Sequence, residues 1–262
     1  MNIGFFDSGL GGILVLKAVV KELSQYDYVY YGDTANLPYG DKTEEEVYEL
    51  TKQALDKLFE RDCALCIVAC NTASAETLRR LQDTYLKEKH PDRKVLGVIV
   101  PTIEEVIASG KKKAILLATS RTVDSGKYER ELKKRNDAEV ELLSVATPEL
   151  VPLLEAGKKS EAIEMAIQVI DKAARGGEVV ILGCTHYVLL KDDLRAHYPA
   201  LTFIAQDEVI PYKLKNYLER HPKIEHNLTH TGKRNIVLSE HRSDYDQLLA
   251  EFLGGAYLSE ES

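Results

Sequence analysis

The chain has 262 residues, 44% of them hydrophobic, and a formal charge of −8. Length and apolar content suffice for a substantial core and for two domains. An acidic balance without a long basic stripe argues against a nucleic-acid partner, and no apolar run approaches the roughly 20 residues that cross a bilayer.

Met1-Asn2 runs directly into a strand, without the leader of a secreted protein. Four cysteines in such a chain read as reduced thiols in the cytoplasm rather than as a disulfide framework. Strand-like runs follow near residues 3–7, 28–32, 64–70, 94–100, 113–119, 139–145, 178–184 and 201–205. Helical spacing lies between most of them, as in Val47, Leu50, Ala54, Leu55 and Leu58, and again in Ala162, Ile163, Ala166, Ile167 and Ile170. This alternation defines an α/β, doubly wound class with parallel-sheet cores. A division is expected near Pro101. In the tail, Asp207 to His221 reads as a helix, a polar stretch follows, and Ser243 to Leu253 is expected to form a last helix.

The first strand closes on Asp7-Ser8-Gly9-Leu10-Gly11-Gly12, whose glycines could bring backbone amides to an anion. A dinucleotide fingerprint would need glycine at position 14, which is Leu14. Gly157-Lys158-Lys159-Ser160 likewise lacks the earlier glycine of a phosphate loop. An acid at the end of a strand makes Asp7 a candidate for proton handling. Asp33-Thr34-Ala35-Asn36-Leu37-Pro38-Tyr39-Gly40 is a turn after the second strand that would carry Tyr39 and the Gly40 amide to the same sheet edge. Cys63 and Cys66 lie at the entry and inside of the third strand. Residues three apart in an extended chain point to opposite faces, so these two thiols are read as structural, with no metal site expected.

The third strand, Leu65 to Ala69, ends at Cys70, and Asn71, Thr72 and Ser74 favour a helix start. A thiol there stands at the carboxyl edge of the sheet, where open α/β folds bind ligands, and the helix end favours the thiolate. Val179-Val180-Ile181-Leu182-Gly183-Cys184-Thr185-His186 repeats the pattern. Ser8 and Thr119 also close apolar strands, 62 residues before Cys70 and 65 before Cys184. The chain is therefore expected to hold two similar halves that face one cleft, each giving one thiol. His186 is a candidate acid or base, and Glu155 reads as a helix-surface acid.

Together these stretches resemble glutamate racemase, of the cofactor-independent aspartate/glutamate racemase superfamily. The similarity runs through Phe6–Gly12, Gly32-Asp33-Thr34 with Pro38-Tyr39-Gly40, Ala69–Ala75 and Gly183–Tyr187. It weakens at Ala118–Thr122 and from Pro148 to Glu155. The resemblance implies two pseudosymmetric α/β domains, residues 1–98 plus 208–262 and residues 99–207, with the active site in the cleft between them. It implies Cys70 acting on D-glutamate and Cys184 on L-glutamate, assisted by Asp7 and His186. The substrate would be held by Asp7, Ser8, Tyr39, Gly40, Asn71, Thr72, Thr119, Thr185 and His186. No cofactor is expected, the protein would be a homodimer, and its role would be to supply D-glutamate for peptidoglycan. The family usually has Arg where this chain has Asn36, and Pro where it has Val188. The competing readings are aspartate racemase or another cofactor-free amino-acid racemase and, from another class, a thiol redox or metal-binding protein using Cys63, Cys66 and Cys70.

The chemistry suits these residue types independently. Inverting Cα removes a proton from one face and delivers one to the other, which calls for two acid/base groups opposed across a cleft. Carbanion-like charge then needs positioned donors, for which Ser8, Asn71, Thr72 and Thr185 are candidates.

Overall fold

The computed structural model describes residues 1–135, 139–173, 177–242, 245, 246 and 249, together with the backbone of 258–261. The strands are β1 (Asn2–Asp7), β2 (Tyr28–Gly32), β3 (Cys63–Val68), β4 (Lys94–Gly97), β5 (Lys113–Ala118), β6 (Glu141–Ala146), β7 (Val179–Leu182), β8 (Thr202–Ile204), β9 (Arg234–Leu238) and β10 (Leu258–Glu261). They form two parallel sheets, ordered β10-β9-β2-β1-β3-β4 and β6-β5-β7-β8. The four-strand order second-first-third-fourth occurs in both. The fold is therefore two pseudosymmetric α/β units, with β1 corresponding to β5 and β3 to β7.

The central strands of each sheet are buried on both faces, because alternate side chains feed cores on opposite sides. In β5, Ile115 and Leu117 pack with the helix Lys159–Ala173, whereas Ala114, Leu116 and Ala118 pack with the helices Ile99–Ala108 and Lys127–Arg135. In β1, Ile3 and Phe5 face the helices Gly12–Glu22 and Gln206–Arg220, and Phe6 faces the helix Glu44–Glu60. That last helix starts at a capping box in which Thr43 accepts from the Glu46 N–H and Glu46 accepts from the Thr43 N–H.

Three details differ from the sequence reading. The fourth strand stops at Gly97, and Pro101 lies in the first turn of the helix Ile99–Ala108, where its missing N–H leaves no bond unmade. The polar stretch of the tail contains β9, which adds to the first sheet beside β2. Its three-residue apolar run, Ile236-Val237-Leu238, is too short to announce a strand, yet all three side chains are buried. The helix expected from Ser243 to Leu253 lies largely outside the described residues.

The third correction concerns Cys63 and Cys66. The register against β1 runs Asn2 to Cys63 and then Ile3 to Leu65, leaving Ala64 as an extra residue. This bulge breaks the alternation, so both thiols enter the same core and meet beside Gly4 instead of facing apart. Burial first, and the neighbouring Cys63 thiol second, push the Cys66 thiol well above its ordinary value. Both side chains are free thiols with no exposed surface. Truncating either to alanine is expected to lower stability by about 1–2 kcal/mol as a core deletion and to leave turnover intact. Denaturant unfolding paired with kinetics checks this, and a folded Cys63→Ala/Cys66→Ala protein without turnover would contradict it.

Candidate active site

With β1 central and β2 and β3 on either side of it, the loops after β1 and β3 part at a switch point, where ligands bind. Ser8 follows β1 and Cys70 closely follows β3. Thr119 and Cys184 hold the corresponding places after β5 and β7. The two carboxyl edges face each other. A cleft between them is lined by Ser8, Tyr39, Gly40, Cys70, Asn71 and Thr72 on one side and by Thr119, Cys184, Thr185 and His186 on the other. The cleft is narrow, with about 50 Å³ of space that water can occupy. The halves touch closely at Gly11: a β-carbon there would lie 2.6 Å from Thr185 Oγ1 and 2.9 Å from the His186 backbone nitrogen.

Cys70 caps the helix Asn71–Glu76, its thiol accepting from the Ala73 N–H at 3.5 Å. Ser8 Oγ is also 3.5 Å away. These contacts favour the thiolate, but burial and then the Asp7 charge outweigh them. The thiol is pushed up to about 12, so the expected helix-end activation does not prevail in the free protein.

Asp7 is buried outside the cleft lining. The glycine amides do meet an anion, and it is this carboxylate: Gly12 N–H donates to Oδ2 at 3.0 Å and Gly9 N–H at 3.3 Å. Thr185 Oγ1 donates from the other half at 3.4 Å. Burial raises the Asp7 pKa, opposed by the His186 charge and by these donors.

On the second side, Cys184 Sγ lies 3.8 Å from His186 Nδ1, and His186 Nε2 lies 3.2 Å from Glu155 Oε1. Glu155 thus serves the site's histidine instead of being a plain helix-surface acid. Burial pulls the His186 pKa down, but the Cys184 thiol and the Glu155 carboxylate win and hold it well above the ordinary value. His186 thus stands between a sulfur and a carboxylate, both of which favour its protonated form.

The remaining residues are fixed by polar contacts. Tyr39 OH donates to Asp33 Oδ2 at 2.6 Å, and Asn36 Nδ2 donates to both Asp33 oxygens at 2.9 and 3.1 Å. Asn36 thus ties down the loop that carries Tyr39. Val188 is half-buried in the turn Thr185–Leu190. Thr72, Thr119 and Thr122 form a hydroxyl cluster across the cleft, with contacts of 3.0 to 3.4 Å. Thr122, Pro148, Val151 and Pro152 were not among the expected residues. Thr122 carried a local sign, three positions past a helix-capping Thr119; the other three join the lining through packing alone. Among the described residues there is no cluster of three or more metal-ligating side chains, and no helix is long and apolar enough to cross a membrane.

Matched α/β halves that each carry a thiol to one cleft are the frame of an amino-acid racemase, an isomerase. The model of one family, described as Asp/Glu/hydantoin racemase, matches residues 13–209. A glutamate racemase of Phenylobacterium zucineum is 36% identical over 279 residues, covering 97% of this chain and 98% of that protein. The crystal structure of a glutamate racemase isoform from Bacillus anthracis superposes with a TM-score of 0.89 at 27% identity, covering 100% of this chain and 97% of the other. The Escherichia coli glutamate racemase, solved with L-glutamate and an activator, gives 0.76 at 27% identity over 99% and 97%. The chain belongs to the Asp/Glu/hydantoin racemase family.

Proposed function

We propose that this enzyme interconverts L- and D-glutamate by a two-base proton transfer between Cys70 and Cys184, without a cofactor, and so supplies D-glutamate for peptidoglycan. The observation that carries the reading is the placement of the two thiols: corresponding strand ends of two matched halves, both lining one cleft. The glutamate preference is supported by the three relatives named above, each a glutamate racemase, and by the L-glutamate in the Escherichia coli structure.

In the direction from D-glutamate, the Cys70 thiolate removes the α-proton and the Cys184 thiol delivers one to the opposite face. The cycle ends with a Cys70 thiol, a Cys184 thiolate and L-glutamate; the reverse direction exchanges the roles. Burial and Asp7 keep Cys70 protonated in the free protein. A substrate α-ammonium beside it offsets the Asp7 charge, so the reactive thiolate forms where substrate is bound. Asp7 takes up and returns the Cys70 proton, while His186, oriented by Glu155, does the same for Cys184. The hydroxyls of Ser8, Thr72, Thr119 and Thr185, with the Asn71 amide, steady the substrate carboxylates and the charge that develops at Cα.

The test is proton exchange at Cα in heavy water, run on glutamate and aspartate in parallel with protein freed of pyridoxal phosphate and treated with a chelator. Deuterium should enter glutamate on racemisation, and aspartate should react far more slowly. Activity that needs pyridoxal phosphate or a metal restored, or that favours aspartate, would defeat the reading.

A further inference from the structure

Asn71, the residue after Cys70, lines the cleft, yet most of its side chain is already committed. Its Nδ2 donates to Gln206 Oε1 at 3.0 Å, and Gln206 Nε2 donates back to Asn71 Oδ1 at 2.7 Å. Tyr128 OH donates to the same Oδ1 at 2.8 Å. Gln206 and Tyr128 are fully buried. Gln206 opens the helix Gln206–Arg220, where the chain crosses from the second sheet back to the first, and Tyr128 stands on the helix Lys127–Arg135 in a core of the second sheet. The network therefore joins the turn that holds Cys70 to two elements from the other side of the cleft.

A primary amide has two acceptor lone pairs and two N–H donors. Both lone pairs of Asn71 Oδ1 are taken and one N–H is spent on Gln206, which leaves a single N–H. We infer that Gln206, with Tyr128, is a positioning residue for the reaction proposed above: it sets the Asn71 amide so that its free N–H, and not its carbonyl, meets the substrate. A dicarboxylate presents negative oxygens, so the two ends of the amide are not equivalent to it. The N–H donates to a carboxylate, whereas a carbonyl turned inward repels it. A reciprocal amide pair by itself reads the same if both amides rotate. In the arrangement observed, the Tyr128 hydroxyl donates to the carbonyl end and fills its second lone pair.

The inference rests on the glutamate reading, and calorimetry of D-glutamate binding together with steady-state kinetics tests the two separately. Gln206→Met keeps the length and removes both hydrogen bonds. It should weaken D-glutamate binding and raise KM by about tenfold, the scale of one hydrogen bond to a charged group, while kcat changes much less. In an Asn71→Ala background the same change should leave affinity unaltered, since no amide remains to be oriented. Unchanged affinity for Gln206→Met, or an equal loss in the Asn71→Ala background, overturns the inference. Should Gln206→Met not fold, Tyr128→Phe, which removes one hydroxyl, goes through the same cycle with the same direction expected. A wild-type protein that binds no glutamate overturns the functional reading, and the inference falls with it. Wild-type binding and racemisation with an unaffected Gln206→Met overturn the inference alone.

Discussion

Replacing Cys70 or Cys184 by serine is expected to abolish racemisation while leaving each variant one half of the chemistry. Each enantiomer presents its α-proton to one side of the cleft, and in the proposed mechanism only one thiol stands there. Serine preserves shape but is a far weaker acid, so each single variant should lose at least about a thousandfold in turnover, on the order of 4 kcal/mol in barrier. Elimination from a glutamate analogue with a leaving group on the β-carbon separates the halves, because it needs abstraction but no reprotonation. Cys184→Ser should still eliminate from the D-analogue and fail on the L-analogue; Cys70→Ser should do the reverse. Near-wild-type racemisation by either variant, or the same enantiomer preference in both, would show the two-thiol mechanism to be wrong.

Gly11→Ala should be the most damaging change outside the chemical groups themselves. The backbone at Gly11 is helical, with φ of −59°, so glycine is required by space and not by conformation. An added β-carbon would stand 2.6 Å from Thr185 Oγ1, 2.8 Å from His186 Nδ1 and 2.9 Å from the His186 backbone nitrogen. The side chains could turn away, but the backbone nitrogen moves only with the turn that follows Cys184. Overpacking of this kind costs about 1–3 kcal/mol of stability. A displacement of about 1 Å at the reacting groups costs on the order of a hundredfold in rate. The expected result is therefore a folded protein, lower in melting temperature, with kcat/KM for racemisation down by about two orders of magnitude. Because the strain falls on the Cys184 side, elimination from the L-analogue should suffer more than elimination from the D-analogue. A kcat/KM within a few-fold of wild type would mean that the two halves tolerate separation at this contact.

The sequence by itself determined the fold class and the positions of both thiols, since those signals are local. A strand buried on two faces is a continuous apolar run, and Cys70 and Cys184 stand where such runs give way to Asn71, Thr72, Thr185 and His186. The repeat of hydroxyl-ended and thiol-ended strands also disclosed the pseudosymmetry, because nearly equal spacing, 62 and 65 residues, needs no knowledge of packing. Tertiary structure decided what depends on partners distant in the chain. The strand Arg234–Leu238 exists by pairing with Tyr28–Gly32, and its three apolar residues give too little periodicity to stand alone. Cys63 and Cys66 share a face because pairing with the first strand forces a bulge at Ala64. The state of Cys70 follows from burial and from Asp7, 63 positions earlier in the chain, and no local pattern reports desolvation. Glu155 meets His186 by packing of the helix Leu150–Glu155 against the turn after Cys184 within the second half, and Gln206 meets Asn71 only once the two sheets face each other. Periodicity reports which way a side chain points from its own element; which groups meet there, and how much water remains, is fixed by packing between elements.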